Sequence, residues 1–293
     1  MKQILPLLCL VFALAGCVSY DLKENQSYDP KNVPFGVFDA YYPKGPLFGL
    51  FPSDDKPKPV VIAIHGGAWQ GGDKSGMHKV ADDLCPLGYV VLSINYRLTS
   101  DGPWGSGAPW PAAIDDCQAA VRFFKANSLA LHIDSERMAS LGISAGGNLA
   151  TMLALRPDPK TQAPAVRFAC NLDGEHNMML PPDQVMTDFD AIMTKAMGHP
   201  APWSDAELKD ISTVTFAATA VPKPKIFTVH GESDDNIFVR QAYELDKALK
   251  AAGIEHTMLI LHGKDGFCHG NCWASEPANS AMHKFLNTNL KDK

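Results

Sequence analysis

The pentapeptide Gly142-Ile143-Ser144-Ala145-Gly146 constrains this chain more than any other feature. It fits the pattern G-x-S-x-G and lies between an apolar run at 136–143, which predicts a buried strand, and a small-residue run at 145–155, which predicts a helix. A strand, a tight turn and a helix hold a serine in a strained bend, and the glycines let the backbone close so sharply. The bend is predicted to expose the Ser144 hydroxyl above the sheet edge, at the positive end of the following helix.

A second motif decides how the first is interpreted, because G-x-S-x-G alone also fits an ordinary turn in a chain with 23 glycines. His65-Gly66-Gly67-Ala68-Trp69 follows an apolar run at 59–64. An apolar strand that ends in His-Gly-Gly is typical of a loop whose backbone N–H groups stabilise a developing oxyanion. A plain β-turn would explain the glycines but not the pairing with the Ser144 bend. The loop therefore offers Gly66 and Gly67 as N–H donors.

The N-terminus is predicted to be a targeting segment. Lys2 precedes the apolar run 4–14, which is too short for a membrane span, and Leu14-Ala15-Gly16-Cys17 resembles the lipobox of bacterial lipoproteins. The resemblance implies that residues 1–16 are a signal peptide and that Cys17 carries fatty-acyl chains such as palmitate. Residues 17–32 are polar and are interpreted as a lipidated N-terminus and tether. An ordinary secretory signal that happens to contain a cysteine is the alternative.

Location, charge and length narrow the class of protein. Val18 follows Cys17 where an aspartate would resemble an inner-membrane retention signal, so we expect a lipid-anchored protein of the bacterial cell envelope, with the outer membrane favoured. A formal net charge of −6 without a basic run argues against nucleic-acid binding. Residues 33–293 have the length of one large α/β domain, and we find no internal repeat.

The cysteines allow one local bridge. After Cys9 leaves with the signal and Cys17 is acylated, five remain: Cys85, Cys117, Cys170, Cys268 and Cys272. Those in a predicted helix and a predicted strand, Cys117 and Cys170, are expected to be buried thiols. Cys268 and Cys272 are close enough for a disulfide, and this pairing stays open. The segment Cys268-His269-x-x-Cys272 also offers three zinc ligands, but it has no matching partner elsewhere, so no metal and no cofactor is predicted.

Hydrophobic periodicity predicts an α/β fold with a mostly parallel sheet and helices on both faces. Strands are predicted at 34–42, 46–51, 59–65, 89–96, 136–143, 166–172, 225–231 and 256–262, and helices at 75–86, 111–127, 145–155, 237–252 and 276–290. An insertion at 174–222 is too long for a plain connection. We expect a small lid over the site whose Met and Phe side chains line an acyl or aromatic pocket; a surface excursion with its own apolar cluster is the alternative.

A serine in such a bend needs a base to take its proton and an acid to orient that base. In chain order the acid is expected next, and Asp234 and Asp235 both follow the predicted strand 225–231 at a suitable spacing. Helix capping is the alternative role for either, and Asp235 lies nearer the helix. The histidines further on are His256, His262, His269 and His283. His256 and His283 fall inside regular elements and are interpreted as structural.

These motifs together resemble bacterial α/β-hydrolases of the carboxylesterase type, close to the hormone-sensitive-lipase-like and feruloyl/acetyl-esterase-like families. The matching stretches span most of residues 59–270: HGGAWQGGDKSG (65–76), INYRL (94–98), WPAAIDDCQAAVRFF (110–124), IDSERMASLGISAGGNLA (133–150) and HGESDDNIFVRQAYELDKALKAAG (230–253). The resemblance implies an α/β-hydrolase fold. It also implies Ser144 as nucleophile and Asp234 as acid, with oxyanion N–H donors at Gly66, Gly67 and Ala145.

Two positions depart from the pattern of these families. Ala68-Trp69 replaces the third glycine of the oxyanion loop, which resembles the feruloyl/acetyl branch more than the lipase branch. The His-Gly that carries the base is expected near Gly266, and the nearest such pair is His269-Gly270. We predict His269 rather than His262 as the base, because His262 stands at the end of the predicted last strand.

The sequence therefore predicts a serine carboxylic-ester hydrolase. Ser144 attacks the ester, His269 takes its proton and Asp234 orients the imidazole, and water then hydrolyses the acyl-enzyme. The expected substrates are short-acyl or carbohydrate-linked (acetyl or feruloyl) esters, free or attached to polysaccharide. One alternative is a serine amidase or peptidase of the same fold. The other is an envelope lipoprotein that binds acylated glycans or proteins without turnover.

Overall fold

The computed structural model describes residues 20–45, 56–100 and 105–291. Within these ranges eight strands form one sheet in the order β1-β2-β4-β3-β5-β6-β7-β8. Their bounds are β1 (Tyr20–Ser27), β2 (Val37–Pro43), β3 (Lys58–Ile64), β4 (Val90–Ile94), β5 (Ile133–Ile143), β6 (Phe168–Leu172), β7 (Lys225–Gly231) and β8 (Glu255–Leu261). Strands β3 to β8 pair in parallel, whereas β2 is antiparallel to both β1 and β4. The predicted mostly parallel sheet is confirmed.

Helices cover both faces of this sheet, which confirms the second part of the fold prediction. The α-helices of the described residues are α1 (His78–Leu84), α2 (Ala112–Ala126), α3 (Ala145–Leu155), α4 (Phe189–Met197), α5 (Asp205–Ile211), α6 (Arg240–Ala251) and α7 (Glu276–Leu290). Along β3, Val60, Ile62 and Ile64 belong to the apolar cluster under α2, α3 and α6. The alternate residues Val61 and Ala63 belong to the cluster under α1 and α7. This period of two is that of a strand buried on both faces.

The parallel strands end at one common edge, and the chemistry-bearing segments follow there. Ser144 comes directly after β5, and Asp173 directly after β6. The acid loop (232–239) follows β7, and the base loop (262–275) follows β8. Carboxyl ends of neighbouring parallel strands lie side by side, so the sheet brings residues distant in sequence to one place.

The interpretation of residues 17–32 as a tether is wrong over Tyr20–Ser27, which forms the edge strand β1. This strand pairs with β2 although seven of its eight residues are exposed. A strand exposed on both faces has no apolar alternation, so its sequence looks like a linker. The buried Tyr28 then fixes the chain, since its hydroxyl donates to the Asn95 carbonyl at 2.7 Å. The folded domain therefore begins before residue 33.

The predicted opening strand pair is also corrected. The strand expected at 34–42 is found as β2, but both of its edges are occupied by β1 and β4. Its predicted partner, 46–51, lies outside the described residues, as do the predicted signal peptide at 1–16 and the acylation site Cys17. In the described part of the chain, no helix combines the length and apolar character that a bilayer span requires.

The insertion at 174–222 contains α4 and α5. Its buried apolar side chains, including Val185, Met186 and Met193, belong to the same core cluster as α3. The alternative of a separate surface cluster therefore does not hold. The insertion also touches the acid loop, because Met186 forms a β-bridge with Ile237 and the Phe238 N–H donates to Val185.

Candidate active site

Ser144 occupies the predicted bend between β5 and α3. Its backbone has φ 55° and ψ −125°, a conformation that costs a non-glycine residue about 1–3 kcal/mol. The bend is held on both sides, since the Ser144 N–H donates to Leu172 and its carbonyl accepts from Asn148. A Cβ atom at Gly142 would overlap the Gly146 carbonyl oxygen, so the motif needs glycine at that position. The Ser144 side chain remains partly exposed at the sheet edge.

The His65-Gly66-Gly67 loop lies directly against this bend. A Cβ atom at Gly66 would lie 2.8 Å from the Ile143 oxygen and 3.2 Å from Ser144 Cβ, so a side chain there would separate the two segments. Across the described ranges, no hydrogen-bond acceptor pairs with the N–H of Gly66 or Gly67. Ala145 is the first residue of α3, and the N–H of that position has no acceptor within its helix. Gly66 and Ala145 thus lie beside Ser144, and among the described residues none of the three predicted oxyanion donors has an acceptor for its N–H group.

Residues of the INYRL stretch support the oxyanion loop from beneath. The Tyr96 hydroxyl donates to the His65 carbonyl at 2.9 Å, and the two rings stack with centroids 4.4 Å apart. Burial lowers the pKa of His65 to about 4, so its ring is neutral and serves packing. Arg97 donates from its backbone N–H and its side chain to the buried Asp116 carboxylate. The motif is therefore scaffolding for the loop.

Asp234 is the carboxylate that the acid loop presents to the site. Its side chain is buried, and Oδ1 accepts hydrogen bonds from the backbone N–H groups of Asn236 and Ile237 at 2.9 and 3.0 Å. Its second oxygen, Oδ2, lies 2.8 Å from His269 Nδ1. Asp235 is exposed and does not cap α6, whose N-cap is Val239, so the capping interpretation of Asp235 is wrong.

His269 lies in the base loop with its ring held by Asp234. An Nδ1–H that donates to the carboxylate leaves Nε2 as the free basic nitrogen, which is the tautomer a general base requires. Burial lowers the pKa of this imidazole, but the hydrogen bond and charge of Asp234 together with the nearby carboxyl groups of Asp173 and Glu175 raise the pKa above its ordinary value. The residue that follows, Gly270, packs against Ile143, the residue before Ser144. The base loop therefore lies on the serine bend, although no hydrogen bond joins Ser144 Oγ to His269 in the described structure.

The remaining candidate histidines are engaged elsewhere. His262 is exposed at the end of β8 and pairs with Glu232 at 2.7 Å. His256 contacts Asp246 and Thr228, and His283 contacts Asp83. None of these pairs involves Ser144 or Asp234. The geometry therefore favours His269 over His262 as the partner of the buried acid.

We expect Asp234→Asn to lower kcat by about 10⁴, the loss seen when a serine protease loses the carboxylate that sets the histidine tautomer. Asp235→Asn is the matched control, since this neighbouring carboxylate is exposed and makes no contact with His269. It should leave kcat close to that of the wild type. Steady-state kinetics on a p-nitrophenyl ester distinguishes the two variants, and the reverse ranking would move the acid by one residue.

A disulfide closes the base loop around His269. Cys268 and Cys272 are bonded, so their sulfurs cannot serve as the thiolate ligands of a zinc site. The other cysteines of the described residues, Cys85, Cys117 and Cys170, are free and buried, as expected for the latter two. Asp173, His230 and Asp234 also have ligand-like spacing. In that group Asp234 holds His269, and His230 Nε2 contacts the Ile237 carbonyl at 2.8 Å.

Sequence reasoning missed two buried carboxyl groups at this edge, Asp173 and Glu175. Both follow β6 directly, and both side chains are almost fully buried. Burial raises the pKa of Asp173 to about 8 and that of Glu175 to about 7. The sequence signal for these two residues is an acidic pair at the carboxyl end of a parallel strand. The same criterion selects Asp234 after β7. The predicted insertion at 174–222 includes Glu175 and begins directly after Asp173.

The geometry can now be compared with known proteins. The model of the BD-FAE family matches residues 50–249, about two thirds of the chain. The chain belongs to the BD-FAE family. The matched segment contains the oxyanion loop, the serine bend and the acid loop, and it ends before the base loop.

Curated relatives of this BD-FAE chain carry esterase names. A probable carboxylic ester hydrolase of Mycobacterium tuberculosis, LipM, is 30% identical over 202 residues, which are 63% of this chain and 43% of the relative. Esterase LipQ of the same organism is 26% identical over 212 residues, 67% of this chain and 46% of the relative. The chain thus spans less than half the length of these relatives.

Solved structures share the fold over nearly the whole BD-FAE chain. A truncated carbohydrate esterase from gut microbiota superposes with a TM-score of 0.77 at 21% identity, covering 94% of this chain and 98% of that one. Esterase B from Lactobacillus rhamnosis gives a TM-score of 0.76 at 19% identity, covering 94% and 87%. These neighbours confirm the predicted α/β-hydrolase fold.

Proposed function

We propose that this BD-FAE protein is a serine carboxylic-ester hydrolase with Ser144, His269 and Asp234 as its catalytic residues. The observation that carries the proposal is the 2.8 Å contact between His269 Nδ1 and the buried Asp234, in a loop that packs on the Ser144 bend. The esterase names of the relatives support the same reaction class.

The reaction follows from these contacts. His269 Nε2 takes the Ser144 proton as Oγ attacks the ester carbonyl, and the N–H groups of Gly66, Gly67 and Ala145 stabilise the oxyanion. The protonated imidazole then gives its proton to the leaving alkoxide, while Asp234 stabilises the imidazolium charge. Water enters, His269 takes its proton, and the acyl-enzyme is hydrolysed to the acid and free Ser144.

The substrate class that we propose is a short-acyl or carbohydrate-linked ester. A cleft of about 510 Å³ beside the acid loop is lined by Met186, Phe189 and Phe238, so the insertion offers an apolar surface there, although none of the proposed catalytic residues lines this cleft. Three aspartates, Asp183, Asp188 and Asp190, also border this cleft and offer acceptors for hydroxyl groups. The structural neighbour described as a carbohydrate esterase is consistent with such a substrate.

A panel of esters tests the proposal. We expect turnover of p-nitrophenyl acetate and butyrate to exceed that of long-chain esters, with release of acetate from acetylated xylan or of ferulate from a feruloyl ester. A matched acyl anilide separates ester from amide hydrolysis. Absence of turnover on every ester, with a folded protein, would contradict the proposal, and faster cleavage of the anilide would favour the amidase alternative.

We further propose that Cys17 carries lipid and anchors the protein in the bacterial envelope. The charged start, the short apolar run and Leu14-Ala15-Gly16-Cys17 support this location. Intact-mass measurement of the membrane fraction should give a diacylglyceryl-modified chain that begins at Cys17, and Cys17→Ser should remain unmodified. A periplasmic product that begins at another residue would contradict the anchor.

A further inference from the structure

Asp173 lies where the acid loop and the base loop meet. It follows β6, and its backbone N–H donates to the Val229 carbonyl of the neighbouring strand β7 at 3.0 Å. Its side chain is fully buried, and a carboxyl oxygen lies within 4.8 Å of both a His230 ring nitrogen and an Asp234 carboxyl oxygen. Burial of a carboxyl group costs free energy, so a carboxyl group buried between the acid loop and the base loop requires a physical explanation.

Backbone N–H groups of Gly231, at the end of β7, and of Gly270, in the base loop, both contact this carboxyl. Asp173 Oδ2 accepts a hydrogen bond from the Gly270 N–H at 3.1 Å. Gly270 is the residue after His269, so this bond fixes the backbone next to the imidazole. The loop is then held at three points. Asp234 holds the His269 ring, Asp173 holds the Gly270 N–H, and the disulfide Cys268–Cys272 closes the segment that contains both residues.

The carboxyl of Asp173 makes its hydrogen bond to the backbone of the base loop and not to the imidazole. Burial and the nearby charge of Asp234 raise the pKa of Asp173 to about 8, so the group is mostly uncharged at neutral pH. Its carbonyl oxygen still accepts the Gly270 N–H when the group is protonated. Asp234, which accepts two backbone N–H groups, makes the hydrogen bond to the His269 ring.

We propose that Asp173 is a positioning residue, which holds the Gly270 N–H and thereby keeps the His269 imidazole between Asp234 and Ser144. This proposal rests on the proposed ester hydrolysis and assigns no contact between Asp173 and the substrate. Loss of the acceptor should displace the base by a fraction of an ångström to an ångström, and a misplacement of 1 Å costs about 100-fold in rate.

Asp173→Ala and Asp173→Asn form the matched pair that tests this role. The alanine variant removes the acceptor, so we expect kcat to fall about 10- to 100-fold with KM within about threefold. The asparagine variant keeps an oxygen in the same place and tolerates the left-handed φ of 54°, so kcat should stay within about threefold of the wild type. A residue that only stabilises the fold would not give a low kcat in the alanine variant and a normal kcat in the asparagine variant.

Asp158→Ala controls for the loss of a buried carboxylate as such. Asp158 is buried and pairs with Arg122, away from the oxyanion loop, the acid loop and the base loop. The Asp158→Ala variant should therefore have a lower melting temperature and an unchanged kcat. If Asp173→Ala is isolated unfolded, Asp173→Gly, which adopts a φ of 54° without strain, is judged by the same kcat criterion.

The outcomes separate this proposal from the proposed function. Wild-type protein without ester turnover overturns the proposed function. Wild-type turnover together with an unchanged kcat in Asp173→Ala or Asp173→Gly overturns only the positioning role. An Asp173→Asn variant as slow as Asp173→Ala also overturns it, because the oxygen that accepts from Gly270 would then be irrelevant.

Discussion

Replacing Ser144 by alanine should lower kcat for p-nitrophenyl acetate by about 10⁶, the loss observed when a serine hydrolase loses its nucleophile. The fold should survive, because the hydroxyl is partly exposed and makes no hydrogen bond within the described residues. No contact in the structure makes the backbone φ of 55° harder to adopt for alanine than for serine. Steady-state kinetics at neutral pH measures the change.

Circular dichroism and the melting temperature of the Ser144→Ala variant provide the control. Wild-type values for both, with kcat lowered by about 10⁶, are the expected combination. Residual activity above about a thousandth of the wild-type kcat would contradict the role of Ser144, because such a rate requires another nucleophile.

Replacing His269 by alanine should have an effect of the same size, about 10⁶ in kcat, because Ser144 and its base act as a unit. His262→Ala is the matched control. His262 is exposed and its contact is with Glu232, so its loss should leave kcat close to the wild-type value. An inactive His262 variant beside an active His269 variant would place the base at the end of β8 instead.

The pH dependence of the wild type gives a second test of His269. A base acts in its neutral form, so kcat/KM should rise with pH through one ionisation. The midpoint should lie above 6.5, since Asp234 and the neighbouring carboxyl groups together raise the pKa of His269 more than burial lowers it. Asp234→Asn should move this midpoint to lower pH, and a midpoint that does not move would show that Asp234 is not the partner that sets the pKa.

The strand–helix alternation and the serine bend could be predicted from the sequence because their signals are local. The helix predicted at 145–155 is α3, Ala145–Leu155, and the strand predicted at 225–231 is β7. Glycines at fixed spacing indicate a backbone bend that only glycine allows. Strands that are buried on both faces of the sheet appear in the sequence as continuous apolar runs. The same signals located Ser144 and the oxyanion loop.

Features that depend on neighbours distant in sequence were not predictable in this way. Strand β1 is exposed and polar, and its structure comes from pairing with β2 rather than from its own pattern. Asp173 acquires its role from Gly270, 97 residues further along the chain. The Cys268–Cys272 bond was open because spacing permits a bridge without requiring one.

Ester hydrolysis through an acyl-enzyme requires Ser144 as the nucleophile, and covalent labelling tests this most directly. An organophosphonate ester should phosphonylate the wild-type protein once, with loss of activity in proportion to labelling. Peptide mapping by mass spectrometry should place the adduct on the peptide that contains Ser144, and Ser144→Ala should take up no label. Inactivation with the adduct on another residue, and Ser144 unmodified, would contradict the account.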